Sequence, residues 1–208
     1  MTIKQRAIRQ FGQPRGIPGR LVGWILAHRG SNRQRNRWAV ALLDIKPTDR
    51  VLEIGFGPGI AIAELARRAT RGHVYGVDHS EVMVRLARRR NRAQNVHLVQ
   101  ASVDQLPDFG APLDAMLAVN TLGFWAEPAE RLRELRELLR PGGRIALVTQ
   151  PRVTRDTPER VAEKLIELLD QAGFREPRTE ILDLNPPVTC VVASTPTRTG
   201  RSAPGAAP

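Results

Sequence analysis

The stretch Arg50-Val51-Leu52-Glu53-Ile54-Gly55-Phe56-Gly57-Pro58-Gly59 decides the fold. Its first half is apolar except for Arg50 and Glu53 and predicts a short buried strand. Its second half places glycines at every second position, which permits a tight turn and close backbone approach to a ligand. A helix is predicted over 59–69 and a second strand over His73–Asp78. The nineteen residues from Gly59 to Asp78 fit one strand–helix–strand unit. The alternation continues outward, with helices over 80–91, 128–139 and 157–172 and strands over 96–101, 113–119 and 144–149. Ser80 and Thr157 are N-cap candidates, Pro158 sits at a first helical position, and Gly173 follows a helix end. Two more strand-like segments lie near 178–184 and 188–194. This order predicts an α/β protein, a doubly wound and mostly parallel sheet with helices on both faces.

Such sheets bind ligands at the carboxyl ends of their strands. The glycine turn alone is weak as a signal, because many nucleotide-binding folds have one. Two details sharpen it. The sixth position of the turn is Ile60, where a dinucleotide fingerprint requires glycine or alanine. Glu53 stands two residues before the first glycine, so an anionic pyrophosphate is disfavoured there, whereas a ligand with a cationic amino group and a sulfonium is welcomed. Asp78 ends the second strand, where an acid can accept both ribose hydroxyls of an adenosine; its other role is to cap the next helix. The later loops present Ala101-Ser102-Val103-Asp104, then Asn120 through Phe124-Trp125, and an Arg140-Pro141-Gly142-Gly143 turn ahead of the fifth strand.

Together these residues resemble the class I S-adenosylmethionine-dependent methyltransferase family, in the small-molecule branch that includes the ubiquinone/menaquinone methyltransferases. The resemblance runs from about Arg50 to Ser194. It implies a seven-stranded Rossmann-like sheet whose last strand inserts antiparallel beside the fifth, and S-adenosylmethionine as cofactor. It further implies that Gly55, Gly57 and Gly59 line the methionine and ribose portions and that Glu53 holds the loop or the amino group. Asp78 is implied to bind the ribose, His79 and Met83 to sit against the adenine, and Asn120 to lie under the methionine moiety. The family often carries Gly-Asp-Ala where this chain has Ala101, Ser102 and Val103. The usual carboxylate on the adenine amino group is thus replaced by Ser102, or its role passes to Asp104, while Val103 still offers a backbone N–H.

Methyl transfer to a neutral amine or a thiolate needs alignment and no conspicuous base, and orientation supplies on the order of 7–11 kcal/mol. A hydroxyl or carbon acid needs a base; the candidates are His79, His28 and Glu127, and no catalytic residue stands out. Phe124 and Trp125 offer an apolar acceptor wall, or ordinary core. An NAD(P)-dependent oxidoreductase and a non-catalytic S-adenosylmethionine-binding protein are the alternatives. Neither the acceptor nor the oligomeric state is legible.

Composition is that of an ordinary globular chain, 41% hydrophobic and 25% charged. The charge is not evenly spread: the first 50 residues hold eleven of the 32 Lys/Arg but two of the 21 Asp/Glu. Residues 1–49 are therefore expected to form a basic arm with short helices over 20–29 and 32–44, residues 50–194 the catalytic domain, and 195–208 a disordered tail. In the second helix Trp38, Ala41, Leu42 and Ile45 mark the expected apolar face. The arm reads as a lid over the sheet end, as a peripheral contact with an anionic membrane through Val22, Trp24, Ile25 and Leu26, or least readily as a nucleic-acid arm. With aromatics at 4% there is little to stack on bases. A lipid-like or other small-molecule acceptor suits the membrane reading. Cys190 sits in a strand-like run and reads as a buried thiol; a single cysteine and no signal-peptide pattern predict a cytoplasmic protein, peripheral to membrane at most.

Overall fold

In a computed structural model, residues 30–151 and 156–197 are described. The elements are α1 (Gly30–Leu42), β1 (Arg50–Ile54), α2 (Ile60–Arg68), β2 (His73–Asp78), α3 (Glu81–Arg90), β3 (Val96–Gln100), β4 (Leu113–Val119), α4 (Pro128–Leu138), β5 (Leu139–Thr149), α5 (Pro158–Gln171), β6 (Arg175–Leu182) and β7 (Val188–Ser194). A single 3-10 turn, Leu122–Phe124, follows β4. The seven strands form one sheet in the order β3-β2-β1-β4-β5-β7-β6. All neighbours are parallel except β7, which runs antiparallel to both β5 and β6. The doubly wound, seven-stranded expectation is met.

Helices cover both faces, so the central strands bury both sets of side chains and read as continuous apolar runs. Val51, Ala115, Leu117 and Val148 pack beneath α1 and α2. Leu52, Met116, Ile145 and Leu147 pack against α4 and α5 with Phe174. Cys190 is buried in β7, and burial pushes its thiol up to about 12, which makes it a core group with no thiolate chemistry. Ser80 and Thr157 cap α3 and α5 as expected, each accepting the N–H three residues on.

Three segments differ from expectation. In α1 the buried stripe is Asn32, Arg35/Asn36, Ala39/Val40 and then Leu43, whereas Ala41 is exposed and Trp38 and Leu42 are half-buried. The expected apolar face was rotated because Trp38 outweighs two small residues in any count of apolar positions. Second, β5 begins at Leu139: register jumps from Leu113↔Leu139 to Ala115↔Arg144, so Arg140–Gly143 form a bulge inside the strand. Thr195 closes that bulge. Its hydroxyl donates to the Arg140 carbonyl (2.7 Å) and accepts the Gly143 N–H (3.0 Å), so this residue, assigned to the tail by sequence, is buried. Third, β6 starts three residues early, at Arg175, with a bulge before Arg178. The expected helix at 20–29, with the residues before it, and residues 198–208 of the tail lie outside the described residues.

Candidate functional site

The carboxyl ends of β1, β2, β4 and β5 open into a cavity of about 1050 Å³. The glycine turn forms its floor. Gly55, Gly57 and Gly59 have φ of 70°, 53° and 74°, the left-handed region that disfavours other residues. A Cβ on Gly55 would lie 2.6 Å from Thr121 Oγ1, so the turn after β1 and the loop after β4 meet there. At Gly57 a Cβ would meet nothing within 4 Å: the space above it belongs to the cavity. Gly59 differs. It does not line the cavity, and a Cβ there would meet Ala87 at 2.8 Å and Asn91 at 2.5 Å, so it serves close packing of the turn on α3. Gly55→Ala is expected to abolish cofactor binding and lower the melting temperature, read by calorimetry and a thermal melt, because it meets both the φ penalty and the Thr121 clash.

Asp78 is tied into the same floor. Its Oδ2 accepts the Gly57 N–H (2.8 Å) and its Oδ1 the Ser80 N–H (2.9 Å). Asp78 does not itself cap α3: it holds the N–H of Ser80, the residue that does, and it lines the cavity. An ionised carboxylate has about four acceptor sites, so two remain for a ligand's hydroxyls. Glu53, on the neighbouring strand, is 2% exposed, and its Oε2 has no hydrogen-bond partner. Burial first, and the charge of Asp78 second, push the Glu53 carboxyl well above the usual range. Burial raises Asp78 as well, against the lowering effect of the two N–H bonds and His79. Two buried carboxyls in one cavity favour a cationic ligand and disfavour a phosphate.

The remaining candidates gather around this floor. His79, Met83, Ser102, Val103 and Asn120 all line the cavity. Ser102 and Asp104, the two alternatives for the adenine contact, are one unit: Ser102 Oγ donates to Asp104 Oδ2 at 2.9 Å. Asn120 takes φ 54°, and its Oδ1 accepts the Gln150 N–H at 2.7 Å, which fixes its side chain between the ends of β4 and β5. Of the candidate bases, Glu127 is not a lining residue and His28 lies outside the described residues; His79 is on the wall, half-exposed. Trp125 is both wall and core, with its Nε1 donating to Thr121 Oγ1 (3.1 Å), whereas Phe124 lines the rim and is 61% exposed.

Sequence reasoning missed Asn32, Arg35 and Asn36 on α1, and Thr121 and Gln150 after β4 and β5. The α1 set was available as a polar i, i+3, i+4 cluster continuous with Ala39, Val40 and Leu43. It was hidden by treating the segment as an arm.

A family profile described as a methyltransferase domain matches residues 51–143. An uncharacterized methyltransferase of Bacillus subtilis, YdaC, is 30% identical over 180 residues, which cover 85% of this chain and 98% of that one. The 2-phytyl-1,4-naphtoquinone methyltransferase of Trichormus variabilis is 31% identical over 153 residues, 71% of this chain and 65% of that protein. The crystal structure of a SAM-dependent methyltransferase from Aquifex aeolicus has the same fold, with a TM-score of 0.65 at 22% identity over 80% of this chain and 93% of that one. The chain belongs to the class I S-adenosylmethionine-dependent methyltransferases. It is an enzyme of that kind, and its cofactor is S-adenosylmethionine.

The residues present fit that cofactor. The partnerless Glu53 oxygen and the open space over Gly57 are features that a cationic ligand lying along the turn would use. The oxidoreductase alternative is not favoured: a buried carboxyl beneath the turn opposes a pyrophosphate.

Proposed function

We propose that the protein transfers the methyl group of S-adenosylmethionine to a small, lipid-like acceptor. The cofactor brings an already activated methyl. The chain's own residues hold, orient and keep water from the reacting pair. In this reading the glycine turn, Glu53, Asp78, His79, Met83, Ser102, Val103 and Asn120 hold the cofactor, with Gly59 acting through the packing of the turn. The observation that carries the acceptor class is the loop after β4: Leu122, Phe124 and Trp125 give the cavity an apolar wall. An exposed phenylalanine at a cavity mouth suits an apolar guest. The similarity to a naphthoquinone methyltransferase supports the same class. The test is incubation with methyl-labelled S-adenosylmethionine and a panel of quinols, phenols, amines and thiols. Label in the organic-extractable quinols or phenols supports the reading; label only in water-soluble amines or thiols overturns it.

The arm supports a peripheral site of action. Residues 1–29 contain six Lys/Arg and no Asp/Glu. Basic residues near an anionic bilayer are each worth roughly 1 kcal/mol, and among the described residues no helix is long and apolar enough to cross a membrane. Deleting residues 1–19 is expected to reduce co-sedimentation with phosphatidylserine vesicles and to leave S-adenosylhomocysteine binding unchanged. Equal sedimentation of both proteins removes the membrane contact.

A further inference from the structure

The two helix layers differ in charge. In the layer that packs Ala39, Val40, Ile62, Leu65, Val84 and Ala87 onto the sheet, α1 has three arginines and no acid, α2 two arginines against one glutamate, and α3 four arginines against one glutamate. In the other layer α4 balances three arginines with three glutamates, and α5 sets two cations against four acids. The first layer spends its glutamates locally, Glu64 on Arg67 and Arg68 and Glu81 on Arg85. Arg33, Arg37, Arg89 and Arg90 are exposed, and among the described residues no carboxylate lies within ion-pair distance of them. Arg33 and Arg37 share one stripe of α1, four residues apart. Arg89 and Arg90 end α3. The two pairs meet at the cavity. Arg33 follows Asn32 of its wall, and Arg90 Nη1 donates to the carbonyl of the lining residue Pro58 at 2.8 Å. Partial burial first, and the like charge of Arg33 second, lower the Arg90 guanidinium from its usual value.

We propose that this arginine face is a docking surface for an anionic lipid bilayer, so that the folded domain, and not the arm alone, meets the membrane. Like charges with no acid between them repel, and an anionic surface relieves that repulsion as it binds. Exposed charges act within the screening length, about 8 Å at physiological salt. The arginines of α1 and α3 stand at the surface, where headgroups reach them. A nucleic acid suits the face less well. Among the described residues the exposed large apolar side chains are Val99, Phe124 and Ile181, and none lies on α1, α2 or α3, so bases find no ring to stack on there. The bilayer also accounts for the position of the face. Headgroups held at Arg33 and Arg90 lie beside the cavity, which carries the exposed Phe124, so a lipid-like acceptor has a short path from bilayer to cavity. The inference deepens the proposed peripheral action on a lipid-like acceptor and rests on it.

The test is co-sedimentation of the full-length protein with mixed phosphatidylserine–phosphatidylcholine vesicles and with pure phosphatidylcholine vesicles. The face variant carries Arg33→Glu, Arg37→Glu and Arg89→Glu; Arg90 is left intact because it holds the turn at Pro58. A charge-matched variant carries Arg160→Glu, Arg175→Glu and Arg178→Glu, on α5 and β6. The face variant is expected to lose about tenfold or more in partitioning to the anionic vesicles, and the charge-matched variant less than about threefold. Both are expected to keep wild-type affinity for S-adenosylhomocysteine, which checks the fold. Where reversal disturbs the fold, glutamine at the same three positions removes the charge more gently and is expected to lose about threefold or more. Equal losses in the face and charge-matched variants overturn the proposal, since net charge alone then governs binding. Wild-type sedimentation of the face variant overturns it too and leaves the membrane contact to the arm. A wild type that ignores anionic vesicles overturns the face and the peripheral reading together. A wild type that instead retains a uridine oligonucleotide, lost by the face variant, overturns the lipid assignment in favour of a nucleic acid. Failure of detergent-dispersed quinols to accept methyl overturns the acceptor reading and not the docking face, which the vesicles read on their own.

Discussion

Asp78→Ala is expected to weaken S-adenosylhomocysteine binding by at least tenfold in a calorimetric titration. Two losses combine. The carboxylate organises the cavity floor, because it ties the Gly57 N–H to the Ser80 N–H. It also carries acceptor sites that face the cavity, and hydrogen bonds to a charged group are worth roughly 1.5–3 kcal/mol each. Loss of one such bond already accounts for a tenfold change, which is about 1.4 kcal/mol. Asp78→Asn separates the two contributions. It keeps one acceptor oxygen and the side-chain volume, so the turn loses less order while the charge-assisted contacts to the ligand are weakened. An unchanged dissociation constant in the alanine variant would remove Asp78 from the site.

The second large effect is on pH. The Glu53 carboxyl is raised well above its ordinary value by burial and by Asp78, and Asp78 is raised in the same direction. A raised acid is protonated in the folded protein over a range where it is ionised in the unfolded chain. It therefore contributes stability that is complete below the unfolded value and is lost as pH rises through the folded one. A cationic ligand reverses that penalty by favouring the carboxylate, so binding releases a proton. Affinity for S-adenosylmethionine is expected to rise with pH through this window, by up to about tenfold per pH unit for each proton released. Titrations in buffers of different ionisation enthalpy measure the released proton directly. Glu53→Gln is expected to flatten the dependence and to stabilise the unliganded protein at high pH relative to wild type. A Glu53→Gln variant with the wild-type pH dependence would place the proton elsewhere, with Asp78 the other raised carboxyl in the cavity.

The strand–turn–helix alternation was legible because each βα unit spells its own punctuation: an apolar run, a glycine or an N-cap, an amphipathic helix. Local chemistry also located the cavity floor, since Glu53, the glycine turn and Asp78 lie within one such unit. What stayed hidden depends on long-range partners. Thr195 reads as tail until β5 bulges and leaves a carbonyl and an N–H for its hydroxyl to join. Gln150 is unremarkable in sequence and gains its role from Asn120, thirty residues earlier, and Arg35, 115 residues earlier. Gly59 belongs by pattern to the ligand turn, yet the approach of α3 decides its function.

Helix α1 has one further consequence. Its Ala39 and Val40, with Leu43 just past its end, are set into the hydrophobic core, and one to two turns earlier its Asn32, Arg35 and Asn36 line the cavity. Core packing and the cavity wall are thus set on one rigid helix, so any shift of Ala39 and Val40 in the core carries Asn32, Arg35 and Asn36 with it.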